Sequence, residues 1–304
     1  MIRIGVDFGG TKIEAAALDP EGCVQARVRA RSPGGYEASL EVVRELVEAA
    51  ERQAGVSGAS VGVGIPGSPS PTSGLIRNAN TTHLNGKPLQ ADLERVLGRP
   101  VRLANDANCF ALSEAIDGAG AEADVVFGVI IGTGCGAGVT VGGRVLAGGN
   151  GIAGEWGHTP LPWPRPDELP GPSCFCGRRN CLEQWISGPG FAADHGNGED
   201  ALAIAAAALT GDGRAKASVA RYKDRLARGL AAVSDILDPD VIVLGGGMSN
   251  VAELYEGLTE AIGAYAFSDS YTTPVRKALH GDSSGVRGAA WLWPLEGSRK
   301  DSGA

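Results

Sequence analysis

The chain predicts an α/β fold made of two similar halves. Two observations carry this: apolar strand-like runs alternate with segments of helical periodicity, and a glycine-rich hairpin occurs twice, once at the start and once near the middle. In the first half, residues 2–7 read as a buried strand, Gly9-Gly10 as a turn and residues 13–18 as the returning strand. Leu40, Val43, Leu46 and Val47 recur at helical spacing. Residues 61–65 and 101–104 return to strand character, with a Pro/Ser/Gly-rich loop over 66–74 between them, and residues 107–119 read as a helix.

The second half repeats the scheme. Residues 125–131 form a strand, residues 132–136 a glycine turn and residues 139–141 the return. Leu226, Leu230, Val233 and Leu237 share one helical face, which Pro239 ends. Residues 241–244 are a strand running into Gly245-Gly246-Gly247, and Ser249 or Asn250 is placed to cap a helix carrying Leu254, Leu258 and Ile262. Beyond Pro294 the residues are small and polar, and a frayed tail is expected.

At 304 residues the chain has room for two domains. They are expected at 1–116 with 284–304, and at 117–283. The net charge is −8 and no block of Lys or Arg runs along the sequence, so the footprint of a nucleic-acid binder is missing and a small molecule is the expected partner. The longest apolar run, residues 125–131, is too short to span a bilayer, and the charged first strand lacks the apolar core of a signal peptide. A cytoplasmic protein with reduced cysteines is expected.

Residues 155–183 hold the strongest local signal. His158, Cys174, Cys176 and Cys181 combine one imidazole with C-x-C-x₄-C, enough to close a tetrahedral zinc site and leave no position for water. Between His158 and Cys174, residues 160–172 carry six prolines, which reads as a stiff extended loop with little structure of its own. The alternative is a set of reduced cysteines packed in the core beside an unrelated histidine. Glu155 and Glu183 flank the cluster, where a metal would hold them rigidly for gripping hydroxyl groups. Cys23, Cys109 and Cys135 are expected to be small buried residues.

Three glycine turns, at residues 9–12, 132–136 and 245–247, each follow an apolar strand. Glycine lets several backbone N–H groups converge on one phosphate, although any one such turn is equally a tight hairpin. Gly62-Val63-Gly64-Ile65-Pro66-Gly67 matches the dinucleotide fingerprint in letters only, because Ser68-Pro69-Ser70-Pro71 cannot open the required helix. Gly10-Thr11-Lys12 inverts the order of a P-loop and returns to a strand. Asp106 follows a strand and precedes a helix, a place for either an N-cap or a base that takes the proton of an alcohol attacking a γ-phosphate.

Together Asp7-Phe8-Gly9-Gly10-Thr11-Lys12, Asn105-Asp106-Ala107-Asn108, Ile131-Gly132-Thr133-Gly134, Glu155-Trp156-Gly157-His158, the cysteine box and Gly245-Gly246-Gly247 resemble the ROK family of sugar kinases, in order and over almost the whole chain. The resemblance implies an actin-like (ribonuclease H-like) ATPase fold with two domains around a cleft, a homodimer, and ATP, Mg²⁺ and structural Zn²⁺ as cofactors. It implies Asp106 as the catalytic base and Gly67, Asn80, Asn105, Glu155, His158 and Glu183 as sugar ligands. His158 would bind zinc through one ring nitrogen and face sugar with the other. Asp7, Gly9, Gly10, Thr11 and Lys12 resemble the first phosphate hairpin, Gly132 and Thr133 the second, and Gly246 and Gly247 the adenosine turn.

Residues 64–68, 78–82, 84–86 and 280–285 look most like bacterial fructokinases that also take mannose, so the expected reaction is D-fructose to fructose 6-phosphate. The same chemistry on glucose, mannose or N-acetylglucosamine is the alternative, and a non-catalytic sugar sensor is the alternative of another class. The family's repressors carry an N-terminal helix-turn-helix, for which a chain opening on its first strand is expected to lack room.

Overall fold

Backbone pairing in the first half follows the apolar alternation. In the computed structural model, which describes residues 1–294, β1 (Arg3–Phe8), β2 (Lys12–Leu18) and β3 (Val24–Arg31) form an antiparallel meander. Helix α1 (Tyr36–Ala54) then crosses to β4 (Ser60–Ile65), which lies parallel to β1. A two-stranded ribbon of β5 (Ser68–Pro69) and β6 (Ile76–Arg77) follows, then α2 (Leu89–Leu97), β7 (Val101–Asn105) and α3 (Asp106–Asp117). The first sheet has the order β3-β2-β1-β4-β7. Ile4, Val6, Phe8 and Ile13 alternate onto one face and bury against Leu40, Val43 and Val47 of α1.

The second half builds the same sheet again. Strands β8 (Val125–Ile131), β9 (Cys135–Val141) and β10 (Arg144–Val145) are an antiparallel meander. After α4 (Glu183–Ile186), α5 (Gly188–His195), α6 (Ala201–Leu209) and α7 (Gly213–Leu237) come β11 (Val241–Gly245), α8 (Leu258–Gly263) and β12 (Val275–Lys277). The order β10-β9-β8-β11-β12 matches the first sheet position for position. The proposed division at residue 116 would place one sheet in each part.

Two helices join the halves. Helix α9 (Ser284–Trp291) lies on the face of the first sheet opposite α1, and glycines allow the approach. An added Cβ at Gly5 or Gly62 would stand 1.9 Å from the carbonyl oxygen of Val286 or Ala289, and one at Gly288 would stand 1.7 Å from the Cys109 carbonyl oxygen on α3. Helix α3 packs equally closely on the second sheet, where a Cβ at Gly138 would meet the Ala107 carbonyl oxygen at 2.5 Å. A buried carboxylate locks the junction. Glu114 of α3 accepts hydrogen bonds from the Leu279 and His280 N–H groups (2.9 and 3.2 Å) and from the Ser284 hydroxyl (2.9 Å).

Several expectations need correction. Ser249 and Asn250 do not cap a helix. Their side chains donate to the Gly246 and Gly247 carbonyls, residues 247–254 form 3₁₀ turns, and α8 starts only after the left-handed Gly257. The proline-rich loop is not structureless, because Pro166–Glu168 is a 3₁₀ turn. Residues 135 and 136, expected to lie in the turn, pair with β8 in β9, since glycine forms a ladder as any residue does when its partner strand is fixed. Cys23 is exposed in the turn between β2 and β3, whereas Cys109 and Cys135 are buried. Strand β3 and helix α2 lacked a clear apolar period. The expected tail beyond Pro294 lies outside the described residues.

Replacing Gly288 with alanine should destabilise the protein by about 3 kcal/mol, because the added methyl meets backbone that cannot yield. Thermal denaturation of Gly288→Ala beside Gly213→Ala, whose added Cβ meets nothing within 4 Å, checks this: only the former should melt early.

Candidate active site and metal centre

Parallel strands deliver their carboxyl ends to one edge of a sheet, and the predicted residues gather there. Asn105 ends β7 and caps α3. Its Oδ1 accepts the Ala107 N–H at 2.9 Å and its Nδ2 donates to the Gly67 carbonyl at 3.0 Å, leaving one lone pair of Oδ1 for a ligand. The N-cap role therefore falls to Asn105 and not to Asp106. Asp106 accepts the Ala107 N–H through Oδ1 at 2.8 Å and is reached by solvent, although protein atoms wall it in on most sides. Burial raises its pKa, the bonds from Ala107 and Asn105 pull it back, and the negative charge of Glu155 adds to the rise.

Asp7 closes β1 on the same edge. Burial, then the charges of Asp106 and Glu14, push its pKa to about 6 against the opposing effect of Lys12. The amino end of α9 begins beside it, and an added Cβ at Gly285 would stand 3.6 Å from the Asp7 carboxylate. Gly9 leads into the turn, where Gly10, Thr11 and Lys12 are exposed, and Gly10 faces the Thr81 hydroxyl. Asn80 is exposed next to Thr81, whose hydroxyl donates to its Oδ1 at 3.5 Å.

The second hairpin mirrors the first. Gly132 accepts the Gly188 N–H at 2.8 Å, and Thr133 is exposed. Glu183 reaches this turn through Oε2, which accepts the Cys135 N–H at 2.9 Å. Gly246, at φ 79°, rests on the end of β8, where a side chain would collide with the Ile131 carbonyl at 2.4 Å, so the Gly246-Gly247 turn lies beside the Gly132 hairpin. Gly157 packs as tightly on Cys135, which brings the Glu155–His158 segment onto β9.

His158, Cys174, Cys176 and Cys181 converge, with their ligand atoms all within 4.8 Å of one another. Nδ1 of His158 lies 3.6 Å from the Cys174 sulfur, so Nε2, on the far side of the ring, is turned away from the cluster. Cys176 and Cys181 sulfurs are 3.6 Å apart. Burial and the neighbouring thiols push the Cys181 pKa up to about 12. Three thiols and an imidazole at this spacing fit a tetrahedral zinc ion, which would take the thiolates and release their protons.

The sequence matches the ROK family over residues 3–296. The chain belongs to the ROK family. It is 41% identical over 299 residues to an N-acetyl-D-glucosamine kinase of Yersinia pseudotuberculosis, covering 95% of this chain and 97% of that one. Its structure is similar to the ROK hexokinase of Thermus thermophilus, with a TM-score of 0.86 at 36% identity, covering 97% of this chain and 99% of that one. It also resembles a ROK-family glucokinase of Streptomyces griseus in complex with glucose and AMPPNP, with a TM-score of 0.74 at 29% identity, covering 96% and 99% of the two chains. The duplicated sheets are thus those of the actin-like ATPase fold of ROK proteins. Among the described residues no helix is long and apolar enough to cross a membrane.

Two features of this ROK protein were not found by sequence reasoning. Glu168, in the proline-rich loop, is buried and accepts bonds from Arg225 Nε at 2.8 Å and from Arg228 at 2.7 and 2.8 Å, clamping the loop to α7. Burial alone would raise its pKa, but the Arg228, Arg165 and Arg225 bonds outweigh it and hold the group at about 2. Nothing in the local sequence distinguishes this glutamate from an exposed one, since its partners lie on a helix some 60 positions on. The other is Glu14, buried on β2 among cations, whose strand pattern alone hints at it.

Purified without chelator, the protein should carry about one zinc per chain. Stripping the metal, or replacing Cys176 with serine, should lower the melting temperature and open residues 160–172 to protease; elemental analysis and limited proteolysis read both.

Proposed function

We propose that this ROK-family chain is an ATP-dependent hexose kinase with N-acetyl-D-glucosamine as acceptor, and that Asp106 is its general base. The placement of Asp106 carries the mechanism. It stands at the carboxyl end of β7, with the neighbouring Ala107 packed on Gly136 of the second hairpin, relieved of the N-cap role by Asn105, with a raised pKa that makes it a better proton acceptor. Asp106 would take the proton of the sugar's primary hydroxyl while that oxygen bonds to the γ-phosphorus and the bond from phosphorus to ADP breaks. Backbone N–H groups of the Gly10–Lys12 and Gly132–Thr133 turns would hold the phosphates, and Gly246-Gly247 the adenosine. Asp7, buried among negative neighbours, suits the Mg²⁺ of MgATP, which when bound neutralises charge on the phosphates. Glu155, Glu183, Asn80, Asn105 and the zinc-averted Nε2 of His158 would meet the sugar hydroxyls, with Gly67 bracing Asn105.

The acceptor rests on the 41% identity to the Yersinia enzyme over nearly the whole of both chains. That supports the alternative among the sugars better than the D-fructose expected from the subgroup motifs. Packing accounts for part of those motifs. The backbone of His280 and the hydroxyl of Ser284 are spent on Glu114, and Gly64 makes room for Cys109.

ADP release from MgATP, with N-acetylglucosamine, fructose, mannose and glucose offered separately at equal concentration, tests the reading. Turnover should be highest on N-acetylglucosamine; highest turnover on fructose would move the acceptor, and none on any sugar would defeat the kinase. Asp106→Asn should cut kcat by about 10³-fold with the fold retained.

The pH profile follows from the carboxylates. Both Asp7 and Asp106 must be ionised, and both pKa values are raised, so kcat/KM should be full at neutral pH and lost as pH falls through about 6, the Asp7 value. An acid limb near pH 4, where ordinary aspartates titrate, would contradict this.

A further inference from the structure

Glu14 is the unexplained group beside the first phosphate turn. It pairs across strands with Asp7, and its side chain is 3% exposed. Strand alternation puts Lys12, Glu14, Arg27, Arg29 and Arg31 on one face of β2 and β3, with Arg31 opposite Lys12 and Arg29 opposite Glu14. Glu14 is the one carboxylate that these two strands place among those four cations. Oε1 takes Arg27 through Nε at 2.6 Å, and the same arginine donates to the Ser283 hydroxyl at 3.0 Å, just ahead of α9. Oε2 is buried without a hydrogen bond, and its nearest cation is the Lys12 ammonium at 3.6 Å.

We infer that Glu14 is a positioning residue for phosphoryl transfer: anchored by Arg27, it holds the Lys12 ammonium at the phosphate turn. This rests on the kinase reading above, which places nucleotide phosphates at Gly10–Lys12. A buried carboxylate with one oxygen short of a partner is a poor device for stability, and an apolar residue would serve the strand better. Lys12, by contrast, is a flexible chain with its side chain half exposed, and aiming it costs rotamer entropy unless a fixed charge restrains it. An ammonium carries three donors, so Lys12 can keep Glu14 and still meet a phosphate oxygen.

The role separates from plain electrostatics by the parameter it moves. Removing a negative charge next to the phosphates would by itself tighten nucleotide binding. Loss of aim lowers the rate of transfer instead.

The test is a double-mutant cycle of Glu14→Gln and Lys12→Met, with kcat taken per folded molecule and melting temperatures measured alongside. Glu14→Gln should lower kcat about tenfold, the order expected for one charged contact, without raising KM for MgATP or for the sugar. In the Lys12→Met background the same change should leave kcat unaltered. An unchanged kcat, an equal loss in both backgrounds, or a lowered melting temperature as the sole effect would overturn the inference and make Glu14 a structural ion pair. If the wild type turns over no sugar, the kinase reading itself fails, an outcome distinct from those above, and a role in phosphoryl transfer is overturned with it.

Discussion

Everything at the candidate site hangs on the contact between α3 and α9. The two helices touch backbone to backbone at Gly288 and Cys109, and each lies flush on a sheet through glycines that leave no room for a side chain. Close packing of this kind is stiff, because no rotamer can absorb a shift. Asp106 opens α3 and the Asp7 carboxylate meets the start of α9, so the helix pair sets where both carboxylates stand relative to the strand ends. The Glu114 carboxylate, filled by N–H and hydroxyl donors from residues 279–284, ties the chain entering α9 to α3 from behind.

A second constraint acts on the other side of the site. The segment bearing Glu155 and His158 sits on β9 through Gly157, and the loop beyond it is held at its ends by the cysteine–histidine cluster and within its length by Glu168 against Arg225 and Arg228. A loop of six prolines has few N–H groups with which to brace itself, so the ligand cluster and a buried ion pair help to hold it. Glu183, next but one to Cys181, is pinned to Cys135 on the hairpin. Carboxylates proposed to hold a sugar thus sit on the same hairpin as the Gly132 turn proposed to hold phosphate, an arrangement that would pre-organise acceptor and donor together.

Charge is distributed accordingly. Asp106 lies close enough to Asp7 to raise its pKa, and Glu155 close enough to Asp106 to do the same there, a cost that the fold bears where the two sheets meet the site. Cations gather one strand away, on β2 and β3, with Glu14 between the two groups. Such separation of acid and base across a single hairpin suits a reaction that needs a proton acceptor on one side and a home for phosphate charge on the other.

Much of this was legible in the sequence, because some signals are local. Apolar alternation, paired glycines and Pro239 determine strands, turns and a helix end through forces acting within a few residues, and the His/Cys spacing picks out a cluster of candidate metal ligands without a fold. The repeat of one hairpin announced two halves, and family resemblance named the fold. What stayed hidden depends on partners far along the chain. Asp106 stood where a cap would until Asn105 was seen to take the cap; Ser249 looked like a cap until its hydroxyl was seen turned to Gly246; Glu168 and Glu14 carry no local signal of their burial. By itself the sequence determined most of the strands and their turns, the His/Cys spacing and the family, since those rest on short-range chemistry. Only the tertiary structure decided which polar groups are spent on the protein and which remain for a substrate, because burial and hydrogen-bond partners exist only once distant segments meet.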